Sequence, residues 1–116
     1  KEMYRDFTFI DDVVKAIIEL IPLPPGNFNN MQKGIQNFRV LNIGNNDCVT
    51  LEKFISLIEL ACGKNAKIND LPMHAGDVKL THANIDDLKQ LINYTPNTSL
   101  EDGIKKFVNW YLDYKK

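Results

Sequence analysis

The groups in this sequence able to hold a charged ligand are few, and the first of them comes early. Arg5 stands at the entry of a segment that alternates large apolar with polar residues, Tyr4 to Phe9. A guanidinium at a strand entry can fork two donors onto a phosphate or a carboxylate, a geometry that suits a diphosphate. Residue type alone favours another fate, a structural ion pair with Asp6 or Asp12. His82 falls in an extended stretch and is expected to be a packed or surface histidine. Cys48 and Cys62 are too few and too far apart for a zinc motif and read as reduced, structural thiols. The six glycines form no Gly-rich strand–turn–helix fingerprint able to cradle a dinucleotide pyrophosphate.

The elements that must position these residues follow from periodicity. Tyr4 to Phe9 predicts a short strand. Asp11 and Asp12 then place two carboxylates where a helix N-terminus welcomes negative charge. Behind them Val13, Ile17 and Ile21, flanked by Val14 and Ile18, form an apolar stripe at helical spacing. Pro22 and the run Pro24-Pro25-Gly26 end that helix, and the stretch to Asn37 reads as a long loop. Phe38 to Ile43 predicts a buried strand, stopped by Gly44 to Asp47. Thr50 is placed to cap a helix with Glu52 in its first turn and Gly63 at its C-terminal end. Its inner face would be Leu51, Phe54 or Ile55, Ile58 and Cys62. A short strand over residues 66–71, a turn from Pro72 to Asp77 and an extended stretch to His82 come next. Ile85 to Ile92 predicts a short helix, and Asn84 just before it is read as structural. Thr98 to Glu101 has the form of a capping box, and Leu100, Ile104, Phe107, Val108 and Tyr111 stand at core spacing beyond it. The mix is α/β, with short strands and about four helices. Such scattered strands rarely make a self-sufficient sheet and are expected to attach to something larger.

Bulk properties exclude several classes. The 116 residues fit one domain, 1–116. The net charge of −1 and the absence of a long block of either sign argue against nucleic acid or an anionic membrane as a partner. The longest apolar run, Val13 to Leu23, is broken by Lys15, Glu19 and Pro22 and is too short to span a bilayer. No signal peptide is present, so the cytoplasm is the expected location. The start at Lys1, directly before a strand, reads as that of a cut fragment.

Arg5-Asp6-Phe7-Thr8-Phe9-Ile10-Asp11-Asp12, followed by an apolar helix, resembles the Arg-Asp-Phe/Tyr motif of the extended short-chain dehydrogenase/reductase family. That motif opens the substrate-binding half of nucleotide-sugar epimerases and dehydratases. Three further stretches fall in the family's order. Val40 to Asn45 resembles its strand ending in Asn-Ile-Gly-Asn, and Leu71 to Val78 its Pro-x-x-x-Gly-Asp-Val turn. Tyr94-Thr95-Pro96 with Leu100, Gly103, Phe107, Trp110 and Tyr111 is similar to its C-terminal helix. Within the family the closest likeness is to the UDP-glucuronate 4-epimerase branch.

The resemblance implies a C-terminal substrate-binding domain whose N-terminal Rossmann domain lies outside these residues. It implies that Arg5 contacts the diphosphate of a UDP-sugar and that Asp77 hydrogen-bonds ribose hydroxyls. His74 stands where many relatives carry arginine, or glutamine in the glucuronate branch. It is either a weaker diphosphate contact or a solvated loop residue. The implied parent is a homodimer with NAD, which oxidises and re-reduces the sugar at C4. The family's Tyr-x-x-x-Lys pair belongs to the N-terminal domain, and this chain is read as lacking it, hence as inert alone. A dehydratase or decarboxylase parent, or a free-standing binding module, are the other readings.

Overall fold

The computed structural model describes residues 3–25 and 38–116. The sheet is built around β1 (Tyr4–Asp6), which pairs antiparallel with β2 (Cys48–Thr50) in the register Tyr4 to Thr50, Arg5 to Val49 and Asp6 to Cys48. On its other edge Tyr4 bridges Leu80 in parallel, donating to the Lys79 carbonyl at 2.8 Å and accepting from the Thr81 N–H at 3.1 Å. The predicted strand from Tyr4 to Phe9 thus stops at Asp6, because α1 (Ile10–Leu20) begins one residue after Phe9.

Four helices complete the described chain: α1, α2 (Leu51–Cys62), α3 (Asp86–Ile92) and α4 (Leu100–Tyr114). Their ends follow local chemistry. The Thr50 hydroxyl accepts the Lys53 N–H and caps α2, while Gly63 takes the left-handed conformation (φ 63°) that ends it. Helix α1 ends at Leu20, two residues before Pro22, whose ring cannot continue it. At α4 the cap sits one residue later than the predicted box. Ser99 Oγ accepts the Asp102 N–H at 3.1 Å and donates to the Asp102 carboxylate at 2.8 Å, a Ser–Asp pair in place of the expected box with Glu101.

The core is small. Ala16, Ile85, Leu88 and Tyr94 are buried together, with Leu20, Leu41, Ile43, Ala83 and Ile92 packed against them. A second apolar layer joins α2 to α4. Phe7 stacks on Phe54 at 4.0 Å, and Gly103 lets α4 approach the Phe9 ring, which a Cβ would meet at 3.1 Å.

Two predicted strands are absent. Residues 38–43 and 66–71 carry no ladder, and Phe38 and Val40 are exposed. Alternation in the first stretch decides only which side chains face inward, Leu41 and Ile43; a strand also needs a neighbour to take its hydrogen bonds, and none stands there among the described residues. The α1 stripe also departs from expectation. Ile17, Ile18 and Ile21 are 48%, 61% and 74% exposed, and the helix buries Asp12 and Ala16 instead. On α4, Ile104 and Val108 are buried but Phe107 and Tyr111 are exposed. Cys48 and Cys62 are both free thiols; Cys62 is exposed rather than part of a core. The long loop expected up to Asn37 lies mostly outside the described residues.

Candidate functional site

Arg5 sits half-buried in the middle of β1, and its Nη1 donates to the Tyr4 carbonyl at 2.9 Å. The ion pair with Asp6 or Asp12 does not form; both carboxylates take backbone donors instead. Asp6 accepts the N–H groups of Asn45, Asn46 and Ala83, each at 3.1 Å. Asp12, buried in the first turn of α1, accepts from Asn97 at 3.5 Å and Thr98 at 3.2 Å. Each carboxylate therefore joins chain segments rather than neutralising the arginine.

Around Asp6 the chain closes tightly. The Asp6 N–H donates to Thr81 Oγ1 at 3.3 Å, and Gly44 has no room for a Cβ, which would overlap the Ala83 side chain. His82, exposed as expected, places Nε2 2.7 Å from the Asn46 side-chain oxygen. Asn46 itself holds a left-handed φ of 57°, which asparagine tolerates better than most residues. These groups border a cavity of about 290 Å³ lined by Asp6, Thr8, Asn42, Gly44, Thr81 and His82. Beneath it Tyr94 donates to the Gly44 carbonyl at 3.4 Å; burial, then Asp12 and Asp6, push its phenol above the usual range. Burial and the charges of Asp6 and Asp47 likewise push the Cys48 thiol up. Asn84 is structural, as expected: its Oδ1 accepts the Asp86 N–H at 2.9 Å and turns the chain into α3.

The His74–Asp77 turn is built differently. The Asp77 N–H donates to the His74 carbonyl at 3.0 Å, and the Asp77 carboxylate accepts the His74 N–H at 3.3 Å. Both residues are exposed. No hydrogen bond or ion pair connects this turn to Arg5 among the described residues, so the structure does not bring the three predicted site residues into contact. Sequence reasoning missed Asp6 as an organising group, and no local signal marks it, since its donors lie 39 to 77 positions away.

A larger apolar groove of about 720 Å³ runs between α2 and α4 past Phe7, Phe9, Phe54, Ile58, Phe107 and Tyr111. The expectation that no Tyr-x-x-x-Lys pair occurs needs correction. Tyr111 and Lys115 have that spacing at the end of α4, but both are exposed, and the Lys115 ammonium lies over the Tyr111 ring at 5.5 Å. A lysine seated on the ring face is a cation–π contact and not a partner of the hydroxyl. Among the described residues no helix is long and apolar enough to cross a membrane, and no group of three His, Cys, Asp or Glu side chains is arranged for a metal ion.

The two-stranded sheet with four helices is similar to the C-terminal part of extended short-chain dehydrogenase/reductase epimerases. Homologues of this chain include CapI of Staphylococcus aureus, 41% identical over 98% of this chain and 36% of the relative. A probable UDP-glucuronate 4-epimerase of Rhizobium meliloti is 40% identical over 94% of this chain and 34% of the relative. Among solved structures, UDP-glucuronic acid 4-epimerase from Bacillus cereus, in complex with UDP-glucuronic acid and NAD, superposes with a TM-score of 0.77. It is 29% identical and covers 97% of this chain and 33% of its own. The chain thus spans about a third of the length of the relatives it matches. No protein-family model matches it.

Proposed function

We propose that residues 1–116 form one substrate-side domain of an NAD-dependent nucleotide-sugar epimerase that inverts C4 of UDP-glucuronate. The observation that carries this reading is the 40% identity to a probable UDP-glucuronate 4-epimerase over 94% of the chain. In this reading Arg5 binds the diphosphate of the UDP-sugar. Its support is that neither Asp6 nor Asp12 claims the guanidinium. The His74–Asp77 turn closes over the nucleotide, with Asp77 toward the ribose hydroxyls and His74 giving one hydrogen bond to the diphosphate.

The residues of this chain do not fit a dinucleotide. They offer no Gly-rich phosphate cradle, and Tyr111 and Lys115 stand exposed at a helix end. NAD, which supplies the hydride chemistry at C4, would be held by the rest of the parent. The contribution of this domain is binding: contacts to a remote diphosphate hold substrate and transition state alike and so set KM. Two features support docking against a larger body. The isoleucines of α1 face outward, and the radius of gyration of 18.0 Å exceeds the roughly 13 Å of a compact domain near this size. The parent is taken as a cytoplasmic homodimer without nucleic-acid or membrane partners.

The test is an assay of the full-length protein on a panel of UDP-sugars. Interconversion of UDP-glucuronate and its C4 epimer is expected. Exclusive turnover of another UDP-sugar, or loss of water or carbon dioxide from the substrate, would move the parent to another branch of the family.

A further inference from the structure

The observation that calls for a role is the company kept by Asp6. Its carboxylate takes three backbone N–H groups from segments 39, 40 and 77 positions away, and its own N–H reaches Thr81. Deepening the diphosphate reading above, and resting on it, we propose that Asp6 is the positioning residue for Arg5, fixing the strand so that the guanidinium meets the diphosphate.

The argument is geometric. Successive residues of a strand project to opposite faces, so an anchor on Asp6 sets the rotation of β1 about its own axis and hence the direction of Arg5. Strand β1 is only three residues long and belongs to a two-stranded sheet, too little by itself to define twist and register. The carboxylate supplies what the ladder lacks. Hydrogen bonds to a charged acceptor are shorter and stronger than neutral ones. The fit is close, since a Cβ on Gly44 would also stand 3.1 Å from Asp6 Oδ2. The His82–Asn46 contact at 2.7 Å holds the far side of the same turn. Arg5, meanwhile, is tethered by Nη1 to the Tyr4 carbonyl of its own strand, so it goes where the strand goes.

The experiment measures affinity of the full-length protein for UDP and for uridine, which lacks the phosphates, in wild type, Asp6→Asn, Arg5→Ala and the double variant. Wild type should prefer UDP. Asp6→Asn should lose roughly 10-fold in UDP affinity, the scale of one charged hydrogen bond, while uridine affinity stays within about 2-fold. The double variant should be no worse than Arg5→Ala, because the two residues act as one unit. A merely structural Asp6 would lower the melting temperature and leave the UDP-to-uridine ratio unchanged, and that result overturns the proposal. So would losses that multiply in the double variant. A wild type without preference for UDP sinks the diphosphate reading itself and the proposal with it. Should Asp6→Asn not fold, Thr81→Val removes the acceptor of the Asp6 N–H; about a 3-fold loss confined to UDP supports positioning, and an unchanged ratio contradicts it.

Discussion

Arg5 and the His74–Asp77 turn are the two arms of the proposed half-site, and the chain holds them in opposite ways. The Arg5 arm lies on a strand bonded to residues 45–50 and 79–83, with a glycine beside it that leaves no space and a carboxylate that takes three donors. Among the described residues the turn is bonded only to itself; it stands exposed, and its Gly76 has nothing within 4 Å of a Cβ. In the proposed half-site the firmly bonded arm sets where a diphosphate would sit. A self-contained turn keeps its local shape while its approach to the ligand is left to the larger body.

Substitutions at the two glycines should break or sharpen this contrast. Gly44→Ala forces a methyl into the Ala83 side chain and should destabilise the full-length protein by about 3 kcal/mol, the upper part of the range for overpacking, read as a lower midpoint in urea. An unshifted midpoint would mean that the hub around Asp6 is not tight. Next in size, Arg5→Ala should raise KM for UDP-glucuronate by the equivalent of roughly 1–3 kcal/mol with kcat nearly kept. An unchanged KM returns Arg5 to a structural role. His74→Ala should cost less, under about 1 kcal/mol in kcat/KM, as a single contact from an exposed loop does. A loss equal to that of Arg5→Ala would make the two arms equivalent. Gly76→Ala should stay within about 0.5 kcal/mol of wild type in stability.

The thiols offer a smaller check on the same contrast. Exposed Cys62 should react with iodoacetamide faster than Cys48, whose thiol is pushed up by burial, Asp6 and Asp47 and donates to the Thr81 carbonyl at 3.1 Å. Equal rates would mean that the hub opens readily.

The legible parts of this molecule were those governed by neighbours in sequence. Thr50 and Gly63 bound α2 because caps act within one turn, and the turn at His74 to Asp77 was readable because its hydrogen bonds are local. Residues 38–43 misled because a largely apolar run suggests burial but does not supply a strand partner. The α1 stripe gave the helix correctly and its burial wrongly, since burial depends on what lies opposite; Ile17 and Ile21 face away from the described core. Arg5 stands out in the sequence through its motif, which does not say what its side chain meets. The fate of Asp6 was hidden, because none of its three donors is closer than 39 positions in the chain. Tyr111 and Lys115, passed over in the expectation that no such pair occurs, have the spacing, but their geometry is a ring-face contact.

The central claim is that this domain supplies half of a pocket. Calorimetric titration of UDP-glucuronate into the full-length protein and into residues 1–116 alone, with circular dichroism confirming the helices of the shorter chain, tests it most directly. The full-length protein should bind and the domain alone should show no micromolar affinity, whereas micromolar binding by the domain alone would contradict the half-site.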